Sequence, residues 1–143
     1  RLASQFGALY TAVTGVDPHE MALDLALGAR TLAEEPRHRA ALEVRNHTAR
    51  GVAASLVWRS LAGEQPPPMP SPAQQAALVR EMPEAELLLY PKDRAAIARD
   101  LKWLGSYRYA TLRLTASSWE AMADRSARAS AILGWPNAPY RLR

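Results

Sequence analysis

The chain has 143 residues, 48% of them hydrophobic and 22% charged, which is the make-up of an ordinary globular domain with its own core and excludes global disorder. It has no cysteine, so disulfides, thiolate catalysis and cysteine-ligated metal or iron–sulfur centres are excluded. The net charge is +4 and arginine supplies 16 of the 18 basic residues, with Lys92 and Lys102 the only lysines; guanidinium forks suit phosphate and carboxylate recognition.

No stretch approaches the ~18 consecutive apolar residues of a membrane-spanning helix, and no secretory leader is visible. The sequence reading is therefore a soluble protein with no membrane partner, cytoplasmic by default. The chain begins with Arg1 rather than Met, which raises the expectation that it is a piece of something longer.

Phe6, Leu9 and Val13 fall on one face of a first helix expected over Ala3 to Thr14, with Gly15 as its stop. Asp17-Pro18-His19-Glu20 reads as a helix start with Asp17 as cap and Pro18 in the first turn, and this second helix should run to about Glu34. Pro36 opens a third, expected to reach Ala62, with Leu42, Ala49, Ala53, Leu56 and Val57 as one stripe and Val44 and Trp58 on the opposite side. The acids of 17–35 and the bases of 37–59 then suggest antiparallel pairing of the second and third helices. A proline-rich connector, Gln65 to Pro72, follows.

Ser71-Pro72-Ala73-Gln74 is a capping box for a short helix ending near Met82. Glu86 to Tyr90 is a short apolar strand candidate, and Asp93 can cap a helix over Arg94 to Leu104, with Ile97, Leu101 and Leu104 inward and Gly105 as terminator. Tyr107 to Thr115 changes to period two, the clearest strand signal in the chain. Ser117-Ser118-Trp119-Glu120 starts a last helix to Leu133 whose inner seam should be Trp119, Met122, Ala123, Ser126, Ala129, Ser130 and Leu133. The tail could add an edge strand at Pro139 to Leu142.

The fold class that results is α+β, predominantly helical: an N-terminal three-helix bundle (1–64), a connector (65–72) and a small β-α-β-α unit (73–143), packed as one compact domain. The order of the last unit suffices for a parallel strand pair, with an antiparallel arrangement that uses the tail as the alternative.

Patterns for known chemistry are missing. The three histidines, His19, His38 and His47, have no metal-binding spacing. There is no G-x-S-x-G, no Walker A and no G-x-G-x-x-G. No catalytic residue, metal or cofactor is assigned.

The strand at Tyr107 carries the functional expectation. Simple alternation puts Tyr107, Tyr109, Thr111, Arg113 and Thr115 on an outer face and Arg108, Ala110, Leu112 and Leu114 on the core face. From Lys92 onward ten bases stand against four acids. Basic and aromatic residues interleaved on a strand are one way single-stranded nucleic acids are held. The expected function is a non-enzymatic interaction module, part of a larger chain or multi-subunit assembly, with an arginine-rich C-terminal surface and a protein partner. The alternative is a DNA- or RNA-binding accessory domain using Tyr107, Arg108, Tyr109 and Arg113, with Arg94, Arg99 and Lys102 on phosphates. A second alternative is an enzyme whose site forms only in three dimensions.

Overall fold

The computed structural model describes residues 4–28 and 51–135. The first helices form much as the capping signals require. Helix α1 spans Ser4–Thr14, and α2 spans Pro18–Ala26, with Asp17 accepting a hydrogen bond from the His19 amide at 2.8 Å. That bond draws the Asp17 carboxyl below its ordinary range. The expected second helix stops earlier than Glu34: it ends at Ala26, with Leu27 and Gly28 in a turn and Gly28 at φ +99°; residues 29–34, residues 36–50 of the expected third helix, and the tail strand lie outside the described residues.

The main correction concerns Val52–Leu61. This segment, expected to finish the third helix, is strand β1. Its sequence satisfies both periods: Ala53, Leu56 and Val57 have helical spacing, while Val52, Ala54, Leu56, Trp58 and Ser60 alternate. Tertiary pairing decides for the strand, because β1 lies antiparallel along nearly the whole of β3, Ser106–Ala116. The third strand, β2, is Glu86–Leu89, and it pairs antiparallel with the other edge of β3 in the order β1-β3-β2. The expected parallel pair is thus an antiparallel one. The segment before the proline connector and the segment after it share one sheet.

Three further helices complete the described architecture: α3 (Pro72–Glu81), α4 (Arg94–Leu104) and α5 (Trp119–Leu133). Both halves of the Ser71/Gln74 capping box form, Asp93 accepts from the Ala96 amide, and Ser118 accepts from the Ala121 amide. Each side chain satisfies an amide that the first helical turn leaves without an intrahelical partner.

One core results. Leu56, Trp58, Ala110, Leu112 and Leu114 from the sheet meet Leu78 and Met82 around α3 and Met122, Ala129 and Leu133 from α5. The small residues of α5, Ser126, Ala129 and Ser130, are all buried. Trp119, expected in that seam, is half exposed instead. Trp135 closes one end of the core, its ring centroid 4.9 Å from Trp58 and 5.3 Å from Tyr109, and its indole N–H donates to the Pro68 carbonyl at 3.3 Å. Helix α1 packs against β1 and β3.

A bulge changes which residues face the core. Trp58 pairs with Ala110, but Arg59 pairs with Arg108, so Tyr109 has no residue opposite it. One extra residue in a strand reverses the side-chain alternation beyond it. Leu112 and Ala110 therefore share the core face with Tyr107, whose partner Ser60 is also buried. Arg59 and Arg108 turn to the opposite face, with Thr111 and Arg113.

Candidate cationic cleft

The bulge corrects the expected outer face of β3. Tyr107 is 1% exposed and Tyr109 4%, so neither ring is offered to solvent for stacking. Burial raises the pKa of both phenols. The Tyr107 hydroxyl donates to the Tyr90 carbonyl, which fixes the chain as it leaves β2. Arg108, expected toward the core, is exposed instead.

Arg113 does lie on the outer face, but its Nη1 pairs with Glu86 at 2.6 Å. Two guanidiniums of α5 are paired in the same way, Arg125 with Glu84 and Arg128 with Glu81 at 2.7 Å. The hydrogen bond from Arg128 holds the Glu81 carboxyl below its ordinary value. Acids that precede Lys92 in sequence thus neutralise three of the ten bases from Lys92 onward. Arg94, Arg99 and Lys102 are exposed on α4. By helical rotation, Arg99 and Lys102 leave the flank of α4 that is turned away from Asp100 and Leu104.

A second group of bases without acid partners among the described residues lies where β3 begins and β1 ends. A cleft of about 260 Å³ opens there, lined by Arg59, Ser106 and Arg108 of the strands, Tyr90 and Lys92 after β2, and Asp100 of α4. Leu104 forms part of its wall. Expected inward, Leu104 is 68% exposed; it lies about 60° around the helix from Leu101 and borders the cleft with Ser106 and Arg108.

The groups of the cleft are held. Arg59 Nη1 donates to Ser106 Oγ at 2.8 Å, and the Arg108 guanidinium carbon sits 4.3 Å from the centre of the Tyr90 ring. Lys92 pairs with Asp100 at 2.5 Å and lies 5.7 Å from the Tyr107 ring centre. Among the described residues neither Arg59 nor Arg108 has a carboxylate partner, so three cations and one acid leave the cleft at +2. Two like charges directly opposite on neighbouring strands destabilise a sheet. Beside the cleft, Trp103 is 73% exposed, with Lys102 5.1 Å from its ring centre, and Leu61, the partner of Ser106, is 53% exposed.

Of the residues singled out from sequence, the cleft contains only Arg108. The sequence places Arg59 among the bases of a helix and Lys92 only within a charge total, and it marks no site role for Tyr90, Asp100 or Ser106. The signal that could have found Arg59 is the alternation from Val52 to Ser60, which turns it away from the apolar face.

Among the described residues no helix is long and apolar enough to cross a membrane, and no three His, Asp or Glu side chains are grouped to hold a metal ion. Comparison with protein-family profiles, curated proteins and solved structures finds no match to this chain.

Proposed function

We propose that this chain is a non-enzymatic interaction module, working within a larger chain or assembly, that engages an anionic partner through the cleft end of its sheet. One observation carries the reading: Arg59 and Arg108 are paired across neighbouring strands, and among the described residues neither has a carboxylate partner. The fold supplies acids to Arg113, Arg125 and Arg128, whereas the opposed pair at the sheet end has none among the described residues. An unbalanced pair on a sheet end is best explained by a partner that brings the negative charge.

The exposed Trp103 beside Lys102 favours a second reading, single-stranded nucleic acid, since an accessible indole next to a cation can stack on a base. The basic residues Arg94, Arg99 and Lys102 of α4 would meet phosphates outside the cleft. In that reading Trp103 replaces the buried Tyr107 and Tyr109 as the stacking platform.

The test is fluorescence anisotropy with a labelled glutamate-rich peptide, a single-stranded oligonucleotide and a duplex, at about 50 and 200 mM salt. Binding to at least one probe, weakened by salt and by Arg59→Gln with Arg108→Gln, supports the module. Preference for the single strand with loss on Trp103→Ala selects the second reading. Absence of binding to all three probes at the lower salt refutes both.

A further inference from the structure

We propose that the cleft is a binding site for a phosphate monoester: a phosphoryl dianion bearing a small organic group. This names the ligand chemistry within the anionic-partner reading above and rests on it.

The cleft charge matches the ligand. A phosphate monoester carries about −1.5 to −2 near neutral pH, against the +2 that Arg59, Arg108 and the Lys92–Asp100 pair leave in the cleft. A dianion between the two arginines converts their mutual repulsion into shared attraction.

The donors are pre-oriented. Arg59 uses one N–H on Ser106, and Arg108 lies over the Tyr90 ring; both retain further N–H groups of the planar fork that suits phosphate oxygens. Lys92 has spare ammonium protons beyond the one given to Asp100. Holding these long side chains in place before binding reduces the ordering entropy that a ligand must overcome.

The shape argues for more than a bare ion. The volume of about 260 Å³ exceeds the roughly 10–15 Å³ that a single water requires. The remaining wall is the Tyr90 ring and the exposed face of Leu104, which offers apolar contact to a substituent and nothing to a second charge.

The experiment uses the whole chain and follows backbone amide and arginine Nε resonances by NMR at constant ionic strength. The probes are inorganic phosphate, adenosine 5′-monophosphate and adenosine. Phosphate and the monophosphate should shift Arg59, Ser106 and Arg108 together, the monophosphate binding more tightly, while adenosine leaves them unmoved. The variant R59Q/R108Q should weaken both ligands by at least about tenfold, while its amide resonances away from the cleft stay those of the unaltered chain. Silence of both phosphates to tens of millimolar, equal binding by the variant, shifts spread along Arg94, Arg99 and Lys102, or tighter binding of inorganic phosphate than of the monophosphate would overturn the proposal. If both phosphates are silent while an oligonucleotide or acidic peptide still binds through Arg59 and Arg108, the phosphate site fails and the broader reading stands. If nothing binds, both fail.

Discussion

Gly51 offers a quantitative test of how β1 enters the sheet. Its φ is +96°, and a Cβ placed there would lie 2.2 Å from the Ala116 carbonyl oxygen and 3.2 Å from its carbon. Ordinary contact begins near 3.4 Å, so relief requires a shift of more than 1 Å in backbone that is tied down by the Val52–Ala116 pair. Gly63 is an internal control, with φ +91° and nothing within 4 Å of the same added atom. The backbone strain of a non-glycine residue is about 1–2 kcal/mol and applies at both sites. At Gly51 the clash adds the loss of one or two ladder hydrogen bonds, about 1–2 kcal/mol. Gly63→Ala should therefore cost about 1–2 kcal/mol and Gly51→Ala about 2–4 kcal/mol. Urea titration with an unchanged m-value reads the difference. Equal effects at the two glycines would refute the close approach of the Gly51 backbone to the end of β3.

Other consequences are accessible to the same assay. Met122 is fully buried among the core residues, and Met122→Ala should destabilise by about 2–5 kcal/mol; a loss below about 1 kcal/mol would remove α5 from the core. The buried Thr111 hydroxyl has no hydrogen-bond partner, so Thr111→Val should stabilise by about 1 kcal/mol, and destabilisation would show that the hydroxyl is bonded. Burial raises the pKa of Tyr107 and Tyr109 above the ordinary value of 10.0. In the folded state they keep protons that the unfolded chain releases, so their contribution is complete below about pH 10 and declines as pH rises from there through the raised values. Denaturation between pH 8 and about 11.5 should show that decline, flattened in Y107F/Y109F; an identical decline in the variant would locate its cause elsewhere.

The elements that announce themselves in the sequence are those with local physical signals. Asp17, Ser71 and Asp93 each cap the helix expected of them, and the last helix is capped by Ser118, one residue past the Ser117 that leads its box, because capping is decided within four residues. The alternation around β3 is equally local. Val52–Leu61 is different: its alanines and serine weaken the contrast between faces, and a short apolar run fits either period until a partner strand is known. The bulge is the deeper obstacle. Nothing near Tyr109 marks it, since it arises from the pairing of β1 with β3 across the proline connector. It alone exchanges the places of Tyr107 and Arg108, and with them the site. Charge was misleading for a related reason. The excess of bases after Lys92 is real in sequence, but Glu81, Glu84 and Glu86 return to meet three of them, and only the fold reveals which guanidiniums are left over.

The opposed arginines can be measured directly by a double-mutant cycle in stability, comparing Arg59→Gln, Arg108→Gln and the pair of substitutions together. The cycle cancels the separate loss of the Ser106 hydrogen bond and of the Tyr90 contact, leaving the coupling between the two guanidiniums. At low salt without multivalent anion the coupling should be repulsive, about 0.2–1 kcal/mol, and it should become favourable when phosphate is added. Zero coupling under both conditions would contradict the cleft as a shared anion site.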